Sequence, residues 1–237
     1  MSSDPDFSSA AAMLVEPARA AMLARLLDGR AWTATELSAA ASIRPSTGSA
    51  HLSKLLALGW VEVLPQGRHR YYRLAGQEVA AFLESFARLA PDPEVRTPGE
   101  RRASEALRHC RLCYDHLAGR VGVVWTEGLL AHGWLEASAA GYTATPAGRR
   151  GLVALGLAGF DETSEPVAGR TCMDWSERRL HIAGPLGRDL ARGLLTLGWF
   201  QRDPRSRALW VTPLGREGYR RVFGRPLPEP PGSDPRG

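Results

Sequence analysis

The sequence predicts a mainly α fold with small β-hairpins (α+β): one helix-turn-helix unit closed by a hairpin, then two diverged copies of a similar helix-and-hairpin unit. Three observations predict it. Apolar residues recur at helical spacing in the segments flanking each turn. Short runs of β-branched and aromatic residues enclose Pro65-Gln-Gly-Arg68. A Leu-Leu-x-x-Gly-Trp phrase occurs at Leu55–Trp60, Leu129–Trp134 and Leu194–Trp199.

The bulk properties narrow the class. A chain of 237 residues makes one to two domains at about 150 residues each. A composition 44% hydrophobic and 23% charged is that of a folded soluble protein, and no apolar run reaches the roughly 18–20 residues of a membrane span. The opening Met1-Ser-Ser-Asp-Pro-Asp6 carries acids where a secretory signal carries bases, and three cysteines are too few for a disulfide framework. A reduced, cytoplasmic setting is expected. Lys54 is the only lysine among 30 basic residues, so the net charge of +5 reflects Arg usage in an Ala- and Gly-rich chain and hints only mildly at an anionic partner.

Residues 1–9 read as a disordered tail. Ala10–Leu27 reads as a helix with Leu23, Leu26 and Leu27 on one face, stopped by Asp28-Gly29. Thr33 or Thr35 caps a short helix bearing Glu36, Leu37 and Ala39 to Ala41. Pro45 separates it from a second helix, Ser46–Leu58, whose expected buried stripe is Leu52, Leu55, Leu56 and Leu58 and whose stop is Gly59. Trp60–Leu64 and His69–Leu74 form a hairpin. Gln77–Leu89 returns to helix, with Val79, Phe82, Leu83 and Phe86 in register. These elements compose a domain at 10–90. Three prolines between Ala90 and Gly99 place a linker at 91–104.

The remainder, 105–224, contains a duplication. Cys113-Tyr-Asp115 recurs as Cys172-Met-Asp174, His116-Leu-Ala-Gly119 as His181-Ile-Ala-Gly184, and Thr145-Pro-Ala-Gly-Arg149 as Thr212-Pro-Leu-Gly-Arg216. The two copies, about 105–157 and 168–224, each read as helix, Gly stop, Trp opening a strand, hairpin, Gly and helix. Residues 225–237 read as a second disordered tail.

Two helices joined by a short turn and followed by a hairpin make a winged helix-turn-helix, whose second helix enters the major groove of DNA. The local chemistry fits. Arg44 to Leu74 holds five bases (Arg44, Lys54, Arg68, Arg70, Arg73) and one acid, Glu62. Ser46, Thr47, Ser49 and Ser53 lie opposite the leucine stripe, where short hydroxyls approach phosphates and base edges closely. With Ala50 on the same helix and His69 in the wing, these residues are the candidate contacts to a double-stranded operator; the competing reading is a solvated hairpin face.

Ser46-Thr-Gly-Ser-Ala-His-Leu-Ser-Lys-Leu-Leu-Ala-Leu-Gly-Trp-Val61, followed by Gln66-Gly-Arg-His-Arg-Tyr-Tyr-Arg-Leu74, resembles the recognition helix and wing of ArsR/SmtB-type bacterial repressors. The resemblance covers roughly residues 16–89. It implies a homodimer paired through its first and last helices, bound to an operator and released by a metal or another signal. The sequence departs from that pattern at three places. Glu36-Leu-Ser-Ala-Ala-Ala41 stands where arsenic sensors carry a Cys pair, Gln77–Leu89 lacks the His ligands of zinc sensors, and Gly48 replaces a β-branched residue. Any sensing is therefore expected in the C-terminal extension, which the duplication reads as two winged-helix-like repeat units.

That extension holds a ligand-like set: Cys110, Cys113 and Cys172 with His109, His116, His181, Asp115 and Asp174. Cys110, Cys113 and His116 are spaced to share a helix face, and a pseudo-two-fold axis between the repeats would bring Cys113 to Cys172. A soft metal ion or a thiol redox event is one reading. Another treats the cysteines as packing residues and Asp115 and Asp174 as helix N-caps, the latter in a capping-box spacing with Glu177. Trp125 and Trp175 break the repeat and are candidates to line a pocket for a small-molecule effector, whereas Trp60, Trp134 and Trp199 are expected in the core. An enzyme would use Cys113 as nucleophile with His116 or His181, but no nucleophile elbow, P-loop or HExxH accompanies them. A protein-interaction module is a third possibility. The sequence as a whole points to a non-enzymatic, dimeric DNA-binding transcriptional regulator, a repressor with a C-terminal effector or assembly domain.

Overall fold

The computed structural model describes residues 6–92, 94–161 and 168–230. It divides into two compact units, Met1–Leu83 and Glu84–Gly237. Of the two predicted tails, residues 1–5 and 231–237 lie outside the described residues.

In the first unit α1 (Phe7–Val15) starts at Asp6, whose carboxylate accepts from the Ser8 and Ser9 amides at 3.1 Å, so residues 7–9 of the expected tail are helical. The helix expected as one piece over Ala10–Leu27 is two. Pro17 opens α2 (Pro17–Leu26) and holds Glu16 extended at φ −81°, ψ 115°, because proline disfavours helical backbone at the residue before it. Arg19, buried, ties the break together: its guanidinium donates to Ala12 O at 2.6 Å and meets His51 Nδ1 at 3.1 Å. Beyond β1 (Trp32–Thr33), Thr33 and Glu36 close a capping box on α3 (Ala34–Ala40). Ser42, at φ 54°, turns the chain into α4 (Pro45–Ala57).

Glycine at position 48 has a steric cause. A Cβ there would stand 1.9 Å from Ser38 Oγ and 3.2 Å from Met22 Cε, so the helix cost of about 1 kcal/mol for glycine is offset by the close approach of α4 to α3. Leu52 and Leu55 are buried and Leu56 is half-buried, but Leu58, expected in the stripe, is 41% exposed. The helix ends at Ala57, and Gly59 at φ 67° carries the chain away. β2 (Val61–Gln66) and β3 (His69–Leu74) follow, in a sheet of order β1-β3-β2. α5 (Gln77–Ala87) buries Ala80 and Leu83, while Phe82, edge-on to Trp60 at 5.4 Å, and Phe86 are each 45% exposed.

The first whole helix of the second unit is α6 (Pro98–His109), capped by Thr97 and Glu100, so residues 98–104 of the expected linker are helix. Each repeat is then hairpin, helix, hairpin, helix, one hairpin more than the sequence pattern shows. The first comprises β4 (Arg111–Cys113), β5 (His116–Ala118), α7 (Gly119–Ala131), β6 (Leu135–Ser138), β7 (Gly141–Ala144) and α8 (Pro146–Ala154). The second comprises β8 (Ala168–Met173), β9 (Leu180–Ala183), α9 (Gly184–Thr196), β10 (Phe200–Arg202), β11 (Leu209–Val211) and α10 (Pro213–Phe223).

The repeats pair reciprocally. β7 joins β8 through Tyr142↔Gly169, and on the other side Arg111 bridges Ala208 while the Leu209 amide donates to Cys110 O at 2.9 Å. This is the arrangement of a pseudo-two-fold pair. Thr145 and Thr212 cap α8 and α10 identically, each hydroxyl donating at 2.7 Å to the carbonyl of the glycine before the Trp, Gly133 or Gly198. Gly148 and Gly215 rest on those tryptophans so closely that a Cβ would lie 2.0 and 2.2 Å from the Trp134 and Trp199 carbonyls. Trp199 is buried and Trp134 half-buried. Leu227, inside the expected C-terminal tail, is 3% exposed and belongs to the core.

Candidate functional site

Two places carry chemistry, one in each unit. In the first, α4 presents Arg44, Ser46, Thr47, Ser49, Ala50, Ser53 and Lys54 on its exposed side, and the β2–β3 wing presents Arg68, His69, Arg70 and Arg73. Gly67, at φ 59°, turns the wing tip beside Arg68. Ser49 and Ser53 donate their hydroxyl protons back to Pro45 O and Ser49 O, at 3.1 and 2.9 Å, so they offer acceptor lone pairs outward. Arg73 is paired across the sheet with Glu62, its register partner. Arg68 sits in the turn itself and Arg70 pairs with Pro65 beside it, both exposed.

In the second unit the side chains of Cys113, His116, Cys172 and His181 converge, with one ligand-type atom of each within 4.8 Å of the others. Cys113 and His116 are directly opposed across β4–β5, and Cys172 and His181 across β8–β9; β5 lies against β9. Each repeat therefore contributes one cross-strand Cys/His pair. The helix face expected for Cys110, Cys113 and His116 is absent, because the chain there is a hairpin. Cys110 closes α6 in extended backbone, fully buried in the apolar core, and burial pushes its thiol up. An offset of three along extended chain sends side chains to opposite faces.

The two sulfurs of the cluster are 3.9 Å apart and the two imidazole centroids 5.1 Å apart. The Cys172 thiol is held far below its usual range, first by the hydrogen bond from Cys113 and then by His116 and His181, while that same contact and burial push Cys113 up. Burial opposes charge on His116, but Asp115 and the nearby Cys172 sulfur outweigh it and raise the ring to about 8. Asp115 Oδ1 lies 3.1 Å from His116 Nδ1. His116 Nε2 and both ring nitrogens of His181 are buried without a regular hydrogen-bond partner.

Asp174 and Arg111 support this centre, and sequence reasoning missed their pairing. The expected N-cap roles of Asp115 and Asp174 are replaced: α7 and α9 are preceded by Ala118 and Ala183, and both aspartates sit in hairpin turns. One oxygen of Asp174 accepts from Arg111 Nη2 at 2.9 Å and from the Gly119 amide at 2.6 Å, and lies 3.8 Å from His181 Nδ1; the other accepts from the Ser176 and Glu177 amides. The Asp174-x-Ser-Glu177 spacing that suggested a helix cap serves the turn instead.

The tryptophans expected to line a pocket do not open one among the described residues. Trp125 is 1% exposed, packed against Trp199, Tyr219 and Phe223 at 5.1–6.0 Å. The cavity beside it measures about 10 Å³, room for one water at most. Trp175 is stacked beneath the Arg111 guanidinium at 4.4 Å.

No family model matches the chain. Over 217 residues, 91% of this chain and 96% of the relative, it is 37% identical to an uncharacterized HTH-type transcriptional regulator, YdfF, of Bacillus subtilis (strain 168). The chain belongs to the HTH-type transcriptional regulators. The likeness to YdfF takes in both units of the regulator, not the helix-turn-helix alone. Solved structures similar to part of this regulator include HlyU from Vibrio cholerae N16961, at 28% identity, TM-score 0.32, 35% of this chain and 89% of that one. They also include the homodimeric winged helix-turn-helix domain of Mb0332 from Mycobacterium bovis, a possible ArsR-family transcriptional regulator, at 22% identity, TM-score 0.34, 41% of this chain and all of that one. Among the described residues no helix is long and apolar enough to cross a membrane.

Proposed function

We propose that this regulator is a repressor of the ArsR/SmtB type, acting in the cytoplasm, which binds a double-stranded operator as a homodimer and releases it when the C-terminal unit takes up an effector. The observation that carries the reading is the joint exposure of the α4 polar edge and the Arg68/Arg70 wing tip: one element suits the major groove and the other the phosphates beside it. Dimerisation is supported by the apolar exposure of α1, with Phe7 at 74% and Val15 at 78%, and by the partial exposure of Phe82 and Phe86 on α5, each at 45%. A single recognition helix also reads too few base pairs for an operator.

Operator selection from a random duplex pool with the intact protein, followed by sedimentation of the complex, tests this. The expected result is a two-fold symmetric site with half-sites about one helical turn apart and two chains per duplex. Failure to enrich any sequence, or a monomer at micromolar concentration with and without DNA, would overturn it.

A further inference from the structure

We propose that Cys113, His116, Cys172 and His181 form a four-coordinate site for a borderline-soft divalent metal ion, zinc above all, that clamps the two repeats together. Two thiolates and two imidazoles are the donor set that selects tetrahedral zinc over hard cations, which take oxygen ligands. The geometry agrees. With a Zn–S bond of about 2.3 Å, two sulfurs at the corners of a tetrahedron stand about 3.8 Å apart; Cys113 and Cys172 stand 3.9 Å apart. The whole donor set already lies within 4.8 Å, so an ion needs to draw in the outer atoms by only about 1 Å to reach regular bond lengths.

The surroundings point the same way. Three imidazole nitrogens, His116 Nε2 with His181 Nδ1 and Nε2, are buried without a regular partner, an arrangement that costs folding free energy unless something accepts them. Asp115 occupies His116 Nδ1 at 3.1 Å and thereby leaves Nε2 as that ring's donor to an ion; Asp174, fixed by Arg111 and the Gly119 amide, lies 3.8 Å from His181 Nδ1. A carboxylate behind each histidine is the usual outer arrangement of metal-ligating imidazoles. All four positions are filled by protein, so no open position is left for substrate. Binding displaces the thiol protons to solvent, and two thiolates balance the charge of the ion. Because each repeat supplies one cross-strand Cys/His pair, both repeats must be in place for the site to exist. Any role of the ion as the effector rests on the repressor reading above; the binding site itself does not.

The test uses the full-length protein, purified without chelator. Elemental analysis is expected to find one zinc per chain. Cobalt(II), added to the reduced, metal-stripped protein, is expected to give the intense visible bands of tetrahedral cobalt and a sulfur-to-cobalt charge-transfer band. Both should be lost in Cys172→Ser and retained in Cys110→Ser. If Cys172→Ser does not fold, the wild-type cobalt spectrum still decides. Weak octahedral cobalt bands in folded wild-type protein, or a Cys113–Cys172 disulfide with no bound metal in protein isolated under reducing conditions, would overturn the site, as would loss of the spectrum in Cys110→Ser. Operator affinity is measured in parallel: metal bound without any DNA binding keeps the site and removes the repressor reading, and DNA binding without a metal site does the reverse.

Discussion

Arg111 and Asp174 show what a single residue carries in this protein. Their ion pair is 1% and 0% exposed, and the Arg111 guanidinium also donates to Leu107 O at 3.0 Å and Ser176 Oγ at 3.2 Å. Burial acts to raise the Asp174 carboxyl, but Arg111 and the bonds from Ser176, Gly119 and Glu177 outweigh it and hold it well below the carboxylate range. Arg111→Leu therefore leaves a buried charge unpaired, and is expected to cost about 3–5 kcal/mol in urea unfolding, whereas Arg73→Ala at the half-exposed Glu62 pair should cost about 1 kcal/mol or less. Comparable losses in the two variants would refute the assigned hierarchy. His109 makes a pH-dependent contribution. Burial first, then Arg120 and Arg216, lower its ring to about 4, so the folded state keeps it neutral while the unfolded chain protonates it near 6.5. Its stabilising share is complete above the unfolded value and falls as pH drops from 6.5 towards 4, by up to about 3 kcal/mol. Urea midpoints measured from pH 7.5 to 4.5 should slope less in His109→Gln than in wild type; parallel slopes would exclude the residue.

Among the elements, α4 and the wing are proposed to divide the work on DNA. The proposed role of the wing tip is to meet phosphates, an interaction independent of sequence and sensitive to salt. Arg68→Ala with Arg70→Ala is expected to weaken operator and random duplex alike and to lower the slope of log affinity against log salt by roughly one for each phosphate no longer neutralised. Fluorescence anisotropy over a salt series reads both quantities, and unaltered binding by the double variant would remove the wing from the interface. The boundaries of these elements were largely legible in the sequence, because their signals act over a few residues: Thr33 with Glu36, Pro45 at the first turn of α4, Gly59 after it. Pro17 was equally visible, yet the helical spacing around it concealed the break that its ring imposes. Leu58 falls outside the buried stripe because the apolar spacing runs one residue past the end of its helix.

At the scale of the whole molecule the duplication becomes a single core. β7 pairs with β8 of the other repeat, and Cys110 to Leu112 pair with Arg207 to Leu209 in return, so neither repeat completes its hydrogen bonding alone. Residues 98–161 expressed by themselves are expected to show no cooperative unfolding, while 98–230 unfolds in one transition; a well-dispersed amide spectrum from the shorter piece would contradict this. The sequence by itself determined several of the helix caps and stops, the winged helix-turn-helix and the existence of two copies, since capping, glycine stops, apolar period and repetition are local properties of the chain. It also contained both Cys/His pairs. Only the tertiary structure decided that those pairs meet, that Cys110 stays apart in the core, and that Trp125 packs the interior instead of lining a pocket. Those outcomes depend on hairpin register and on the meeting of residues 59 or more positions apart, such as Cys113 and Cys172, and a one-residue slip in either hairpin would turn its Cys and His to the opposite face.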